Sequence, residues 1–187
     1  MNNQPQFSNV TKEYLATFQR ILDKMICQMI EAQLSNSISS NFIVQMIPHH
    51  RAAIEMCRNL LQYTTFIPLQ DIAQNIITEQ TRSIENMCSI QSSCQQCVNY
   101  SQDVRAYQQK ANAIMQRMFT RMQQACPDND INICFIREMI PHHEGAIALC
   151  ENALCCNLCP GLIPILESII TSQRQGVCQM RQLLECL

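Results

Sequence analysis

Apolar side chains recur every three or four residues along most of the chain, which is the period of an α-helix with one buried face. Between about 11 and 34, for example, Tyr14, Ile21 and Met25 fall on one stripe. The same spacing predicts further helices over these segments: 40–62, 68–90, 102–125, 132–155 and 162–186. Polar or proline-containing segments separate them, and no strand-like alternation of any length occurs.

The six predicted helices fall into two similar halves. Residues 42–61 read FIVQMIPHHRAAIEMCRNLL, and residues 135–154, which lie 93 positions later, read FIREMIPHHEGAIALCENAL, with 12 of 20 positions identical. We therefore expect a tandem duplication of a three-helix unit, with a first half at 1–95 and a second half at 96–187 packed as one bundle. The polar segment 91–101 is predicted to link the halves.

The composition supports a helical fold. Only 3 of the 187 residues are glycine, and tryptophan is absent. Scarce glycine disfavours a turn-rich β fold and favours long helices. Hydrophobic residues make up 47% of the chain, which is enough for a substantial core. The predicted fold class is therefore an all-α bundle of about six helices.

The charge of the chain disfavours two classes of partner. The formal net charge is −2, so there is no basic surplus to neutralise nucleic-acid phosphates. No polybasic segment or long apolar run points to a membrane. The first residues, MNNQPQFSNV, have neither the positive charge nor the apolar stretch of a signal peptide, which predicts a cytoplasmic protein.

All four histidines lie in the two MIPHH motifs. At about 100° per residue, Met46, His50 and Cys57 share a narrow arc of their predicted helix, and His49 and Met56 flank it. The second half places the corresponding side chains together, with leucine replacing the second methionine: Met139, His142, His143, Leu149 and Cys150.

Thioether, thiolate and imidazole donors together are typical of sites for soft ions such as Cu(I) or Ag(I). Met46 and His50 are one helical turn apart, so both side chains can reach one ion. The neighbouring helix offers Gln80 and Met87 on its inward face, so a site could close between helices. The alternatives are that the methionines only fill the core and that the histidines are hydrogen-bonded structural residues.

Pro48 lies next to the paired histidines, and Pro141 repeats it. Inside a helix, Pro48 would free the carbonyl of Val44 and kink the helix just before the imidazoles. The alternative is that Pro48 occupies the first turn of the helix, where proline is common.

The motif MIPHH, followed by a helix carrying Gln80, Ile84 and Met87, resembles domain-of-unknown-function family 305. The resemblance implies a ferritin-like helical bundle, with a four-helix bundle formed by the second and third helices of each half, and some family members bind copper. By motif position it implies these ligands: Met46, His49, His50, Met56 and Met87, with Met139, His142, His143 and Met180. The chain departs from the family at Ser83 and Gly176, where the family usually has glutamate, and at Leu149, where it tends to have methionine.

Cysteine is abundant, with 13 residues, and a reducing cytoplasm favours metal binding over disulfides. If successive helices run antiparallel, one end of the bundle collects a group of five that would suit zinc or Cu(I): Cys94, Cys97, Cys155, Cys156 and Cys159. The alternative is that these are buried free thiols or disulfides. Three others are expected at the opposite end: Cys126, Cys134 and Cys186.

The leading functional hypothesis is a non-enzymatic protein that buffers, stores or detoxifies Cu(I), exchanging the ion with a copper donor or acceptor protein. A second hypothesis is a cysteine-rich structural protein that cross-links into an assembly. Exposed thiols such as Cys27 could also join copies into a homo-oligomer. A third is a metal-dependent oxidoreductase, but the Glu-x-x-His pair typical of di-iron bundles is missing, since Glu138 lies four residues before His142.

Overall fold

The computed structural model describes residues 7–125 and 127–187. Within these residues the chain forms helices and no strands, which confirms the all-α prediction. The helices are α1 (Asn9–Ile30), α2 (Ile38–Leu60), α3 (Ile67–Gln96), α4 (Ser101–Gln123), α5 (Ile131–Leu154) and α6 (Ile163–Leu184), and a 3-10 turn at Pro160–Leu162 precedes α6.

Side-chain caps fix where the histidine-bearing helices begin. The Ser37 hydroxyl accepts a hydrogen bond from the Ser40 backbone N–H at the start of α2. The Asp130 carboxylate accepts one from the Asn132 N–H at the start of α5. Each bond satisfies a backbone donor that the first helical turn leaves without a partner. The caps set the start of both helices well before the MIPHH motifs.

Pro48 and Pro141 lie inside α2 and α5. The alternative that Pro48 begins its helix is therefore wrong, because the serine-rich segment ahead of it is already helical from Ile38 onward. Each proline lacks the N–H that would bond to the carbonyl four residues earlier. The kink expected ahead of the histidines stays a prediction.

The linker predicted at 91–101 is mostly wrong, because α3 continues to Gln96 and only residues 97–100 lie between α3 and α4. Met87 and Cys94 are seven residues apart, on the same face of α3, and both are fully buried. The Ser37 hydroxyl also donates a hydrogen bond of 2.6 Å to the Cys94 carbonyl. The polar residues around Cys94 cover the solvent side of a helix that continues to bury its other face.

Four helices form the centre of the molecule. Within each half, α2 packs on α3 and α5 packs on α6, and across the halves α2 packs on α5 and α3 on α6. The first helix of each half lies outside this group, α1 against α2 and α4 against α5. The core is continuous across both halves. The division at residue 95 and the origin of the halves by duplication stay predictions.

Polar contacts also join the halves. The Tyr14 hydroxyl on α1 donates a hydrogen bond of 2.9 Å to the Glu138 carboxylate on α5. At another junction the Cys159 backbone N–H donates one of 2.9 Å to the Ser39 hydroxyl. Because these groups are buried, each pairing avoids the cost of about 1–3 kcal/mol of leaving a buried polar group without a partner.

Candidate metal centre

The four histidines meet where α2 packs on α5, and each is at most 1% exposed. The His49 and His142 rings are stacked, with centroids 3.6 Å apart and planes inclined by 24°. His50 lies 5.9 Å from His49, and His143 lies 5.8 Å from His142, between ring centroids. The rings thus form one connected group, which we call the imidazole cluster: His50, His49, His142 and His143.

The His142 ring shows where one proton lies. Its Nε2 atom is 3.2 Å from the backbone carbonyl oxygen of His49. A carbonyl oxygen only accepts hydrogen bonds, so Nε2 carries the hydrogen. In a neutral ring the lone pair is then on Nδ1, and this Nδ1 atom is buried without a hydrogen-bond partner. Metal-binding histidines commonly have one nitrogen bonded to a carbonyl and the other free to ligate.

The other rings also carry buried nitrogen atoms without partners. His50 Nε2 is 3.0 Å from the Ser83 hydroxyl, but its Nδ1 has no partner. Neither nitrogen of His49, nor the Nδ1 atom of His143, has a partner at hydrogen-bonding distance and angle. The backbone of His142 and that of Met139 nevertheless lie near enough to these two rings to oppose the lowering of their pKa. Each such buried atom costs about 1–3 kcal/mol unless something binds it. Unsatisfied polar groups concentrated in this way are unusual in a core and point to a binding function.

Burial also fixes the charge state of the imidazole cluster. It lowers the pKa of His50 to about 3, with a smaller contribution from repulsion by His142. It lowers the pKa of His142 to about 4, although the hydrogen bond to His49 opposes the shift. Burial and repulsion from the neighbouring rings hold the pKa of His49 and His143 well below the ordinary value. All four rings are therefore neutral at pH 7, which is the form that binds metal ions.

The methionines predicted as ligands all lie in the core, each at most 1% exposed: Met46, Met56, Met87, Met139 and Met180. Met46 on α2 and Met139 on α5 each lie one turn before a histidine of the imidazole cluster. Leu149 takes the place corresponding to Met56 and is buried as well. The second half thus offers one thioether fewer than the first.

No three imidazole, thiol or carboxylate side chains in the described part of the chain converge as a closed metal site requires. An ion at the imidazole cluster would therefore need thioether sulfur among its ligands or a small rotation of the rings. Histidine nitrogens bind at about 2.0–2.1 Å, so the stacked rings would have to turn their free nitrogens toward a common point.

The two positions where the chain departs from the family pattern lie against the imidazole cluster. Ser83 on α3 bonds to the His50 ring. The corresponding residue on α6 is Gly176, and a Cβ atom there would come within 3.1 Å of His143 Cδ2 and 3.2 Å of His143 Nε2. The outer imidazole of the first half is thus covered by a hydroxyl, whereas that of the second half faces a residue without a side chain.

Glu138 is a buried acid, and the sequence analysis did not identify it as part of the site. It is 5% exposed, one turn before His142 on α5, and accepts the hydrogen bond from Tyr14. Burial raises its pKa to about 8, although that hydrogen bond acts in the opposite direction. The sequence does indicate that Glu138 is buried. Its counterpart in the first half is the uncharged Gln45, which lies on the inner face of α2.

Three of the five predicted thiolate ligands, Cys94, Cys97 and Cys159, lie near one another at one end of the bundle, but they do not converge as a metal site requires. Burial opposes ionisation of the Cys159 thiol, but hydrogen bonds from Cys94, Cys97 and nearby backbone N–H groups lower its pKa overall. Burial raises the pKa of Cys94 to about 12, and hydrogen bonding to Cys159 adds to the shift. Cys155 and Cys156 instead donate hydrogen bonds to carbonyls one turn back on α5.

At the opposite end, Cys134 is buried and its thiol donates to the Asp128 carbonyl at 3.1 Å. Cys186 is exposed after the end of α6. Cys126, predicted beside them, lies outside the described residues.

The comparisons with known proteins agree on the family. The sequence model of the family described as "Domain of unknown function (DUF305)" matches residues 22–184, so the chain belongs to this family and the resemblance read from MIPHH is confirmed. A crystal structure of a DUF305 fragment from Deinococcus radiodurans is similar at 19% identity and a TM-score of 0.58. The match covers 83% of this chain and 99% of that fragment, and at this identity it shows a common fold only. No curated protein matches the chain.

Within residues 7–125 and 127–187, none of the helices combines the length and the apolar character that crossing a bilayer demands.

Proposed function

We propose that this protein binds a soft monovalent metal ion, Cu(I) before others, at the imidazole cluster and so buffers, stores or detoxifies it in the cytoplasm. The observation that carries the proposal is the His142 ring, whose Nε2–H is bound to the His49 carbonyl while its Nδ1 lone pair lies buried without a partner. Three other neutral imidazoles are within one or two ring contacts of it.

The charge of the surroundings supports a monovalent ion. The proposed ligands are neutral imidazoles and thioethers, so they do not offset the charge of the ion. The desolvation cost of an ion in a low-dielectric core rises with the square of its charge, so Cu(I) costs about a quarter as much as a divalent ion of the same size. Soft sulfur donors also prefer Cu(I). Zinc at the thiol group around Cys159 would require three or four thiolates at one point, and the described thiols do not converge in this way.

Thioether sulfur would complete the coordination. Met46 and Met139 each lie one turn from a histidine on the same helix, and Met87 and Met180 are buried on the facing helices. Because methionine has no proton to lose, binding at such a site releases none from sulfur. Small rotations of the rings and the flexible methionine chains would bring the donors together.

The test is an anaerobic titration of the reduced protein with Cu(I) in competition with a chromophoric chelator. One variant replaces all four histidines by alanine, and a matched variant replaces Cys94, Cys97 and Cys159 by serine, with helicity checked by circular dichroism. We expect the histidine variant to lose at least one ion per chain and the cysteine variant to retain it. If the histidine variant binds as many ions as tightly as the unmodified protein, the thiols are the sites and the proposal is wrong.

A second candidate function is a structural protein that cross-links through cysteine. Among the twelve cysteines that the structure describes, five are exposed, which favours this alternative: Cys27, Cys88, Cys155, Cys178 and Cys186. Protein taken directly from cells into alkylating buffer would form a ladder of oligomers on non-reducing gels if this were its role. A single monomer or dimer band would count against cross-linking.

A further inference from the structure

A groove of about 630 Å³ runs between α3 and α6, where the two halves meet on the side away from α1 and α4. His143 lies at its floor beside Gly176, and Gln80 and Gln173 line it from the two helices. Its size is that of a small-ligand site rather than of a packing defect. The groove therefore brings solvent close to one member of the imidazole cluster, His143, whose side chain is itself 1% exposed.

The amides in this groove are buried without partners. Gln80 is 1% exposed, and neither its Nε2 nor its Oε1 atom has a hydrogen bond. Gln173, its counterpart in the second half, is 3% exposed, and its Oε1 atom also lacks a partner. Buried amides of this kind are normally satisfied by water or by a bound polar group. The two amides therefore offer hydrogen-bonding groups to water or to a bound polar group in the groove.

The equivalent place in the first half provides an internal comparison. A cavity beside His50 is lined by residues that each have a counterpart, 93 positions away, lining the groove at His143. Its volume is only about 20 Å³. Ser83 bonds to the His50 ring there, whereas Gly176 brings no side chain to His143. Both rings are 1% exposed, so the halves differ in the space beside the outer imidazole rather than in the exposure of the ring itself.

The charged residues that line the two cavities also differ. Glu79 and Glu167 line the larger groove, and none of its described lining residues is lysine or arginine. Glu79 also lines the smaller cavity, but there Arg82 accompanies it, at the position that Gln175 occupies in the larger one. Carboxylates without a compensating positive charge attract cations, and an arginine opposes them.

We propose that the α3–α6 groove is the loading route of the metal centre, and that His143 is the ligand that first takes the cation from solvent. This inference rests on the proposed function. The ion enters between Glu79 and Glu167, exchanges a water or carrier ligand for His143 Nε2, and passes inward to His142, whose ring centroid is 5.8 Å away. Each step is a ligand exchange, so the ion keeps its oxidation state.

The test compares Gly176→Ser with Gly161→Ser. Serine at 176 reproduces the closed arrangement at His50, where a hydroxyl lies 3.0 Å from the ring nitrogen. Gly161 lies outside the groove, and a Cβ atom there would be in ordinary contact, 3.7 Å from Ile90. Cu(I), supplied anaerobically as its acetonitrile complex, is mixed in a stopped-flow instrument with each protein. We expect loading to slow at least tenfold in Gly176→Ser and not to change in Gly161→Ser. Because the Cβ atom added at residue 176 would also lie within 3.2 Å of the His143 ring, the equilibrium affinity of each variant is measured separately, and a loss of affinity without slower loading would overturn the route.

A measurement without metal tests whether a small reagent from solvent reaches His143 before the other histidines. Diethyl pyrocarbonate modifies accessible neutral imidazoles, and mass spectrometry of the unmodified protein should find His143 labelled first among the four histidines. Gly176→Ser should slow that labelling several-fold. Labelling of another histidine before His143 would overturn the route without requiring any variant to fold.

The outcomes separate the two proposals. Equal loading rates for Gly176→Ser and Gly161→Ser would overturn the route while leaving metal binding intact. A failure of the unmodified protein to bind Cu(I) at all would overturn the proposed function and this route with it.

Discussion

The buried acid Glu138 makes a quantitative prediction about stability. Replacing it in Glu138→Gln removes the ionisable group but keeps an oxygen that can accept the Tyr14 hydrogen bond. The counterpart residue in the first half is already glutamine, at position 45, so the substitution suits this helical environment. The variant thus isolates the effect of the proton.

The magnitude follows from the pKa. Burial raises the pKa of Glu138 from 4.5 to about 8. Between these values the folded protein holds a proton that the unfolded chain has lost, so the free energy of unfolding falls as pH rises. A difference of one pKa unit corresponds to about 1.4 kcal/mol, which makes the whole loss about 5 kcal/mol between pH 4.5 and pH 8. Glu138→Gln has no such loss.

The assay is urea unfolding of both proteins with a chelator present, at intervals from pH 5 to pH 8.5. We expect similar stability at pH 5 and an advantage for Glu138→Gln that grows to several kcal/mol at pH 8.5. The matched control is Glu55→Gln, which removes an exposed ion pair with Lys24 and should change stability by less than about 1 kcal/mol at any pH. A difference between the unmodified protein and Glu138→Gln that does not vary with pH would refute the reasoning.

Three further predictions concern the imidazole cluster and the thiols. Lowering the pH from 6.5 to 5 should destabilise the metal-free Glu138→Gln protein by up to about 2 kcal/mol per buried imidazole. The reason is that the folded rings, whose pKa values are lowered, stay neutral while the histidines of the unfolded chain take up protons. Thermal unfolding at the two pH values measures the effect. Ser83→Ala should cost about 1–3 kcal/mol in urea unfolding by leaving His50 Nε2 without its partner, whereas the exposed Ser89→Ala should have almost no effect. Iodoacetamide should modify Cys159 faster than Cys57 at pH 7, as followed by mass spectrometry. The pKa of the Cys159 thiol is lowered, whereas burial raises the pKa of the Cys57 thiol, and the thiolate is the form that reacts.

Much of the fold was predictable because helical periodicity is a strong signal. The predicted helices begin within two residues of the observed ones at every start, from α1 at Asn9 to α6 at Ile163. The ends were less predictable. The polar residues after residue 90 favour a linker, but one buried cysteine, Cys94, is enough to keep the face of α3 in the core. Pattern alone does not distinguish a loop from a helix with a narrow buried stripe.

The site was predictable only in part, for a related reason. Periodicity shows which side chains of a helix face inward, and the histidines and methionines predicted to do so are buried. It does not show which helices touch. The stacking of His49 on His142 depends on α2 packing against α5, a contact between the halves that no spacing within either helix encodes. The contact between His50 and Ser83 likewise depends on the rotation of α3 relative to α2.

The imidazole cluster lies on the boundary between two halves of one polypeptide, and each half brings two of its rings. A fragment ending at Gln96 would possess His49 and His50 alone, and assembling all four rings from such fragments would be a second-order reaction that slows as the protein is diluted. The four residues 97–100 replace that encounter with an intramolecular one, at an effective concentration in the millimolar range or above. The completeness of the cluster is thereby independent of the concentration of the protein.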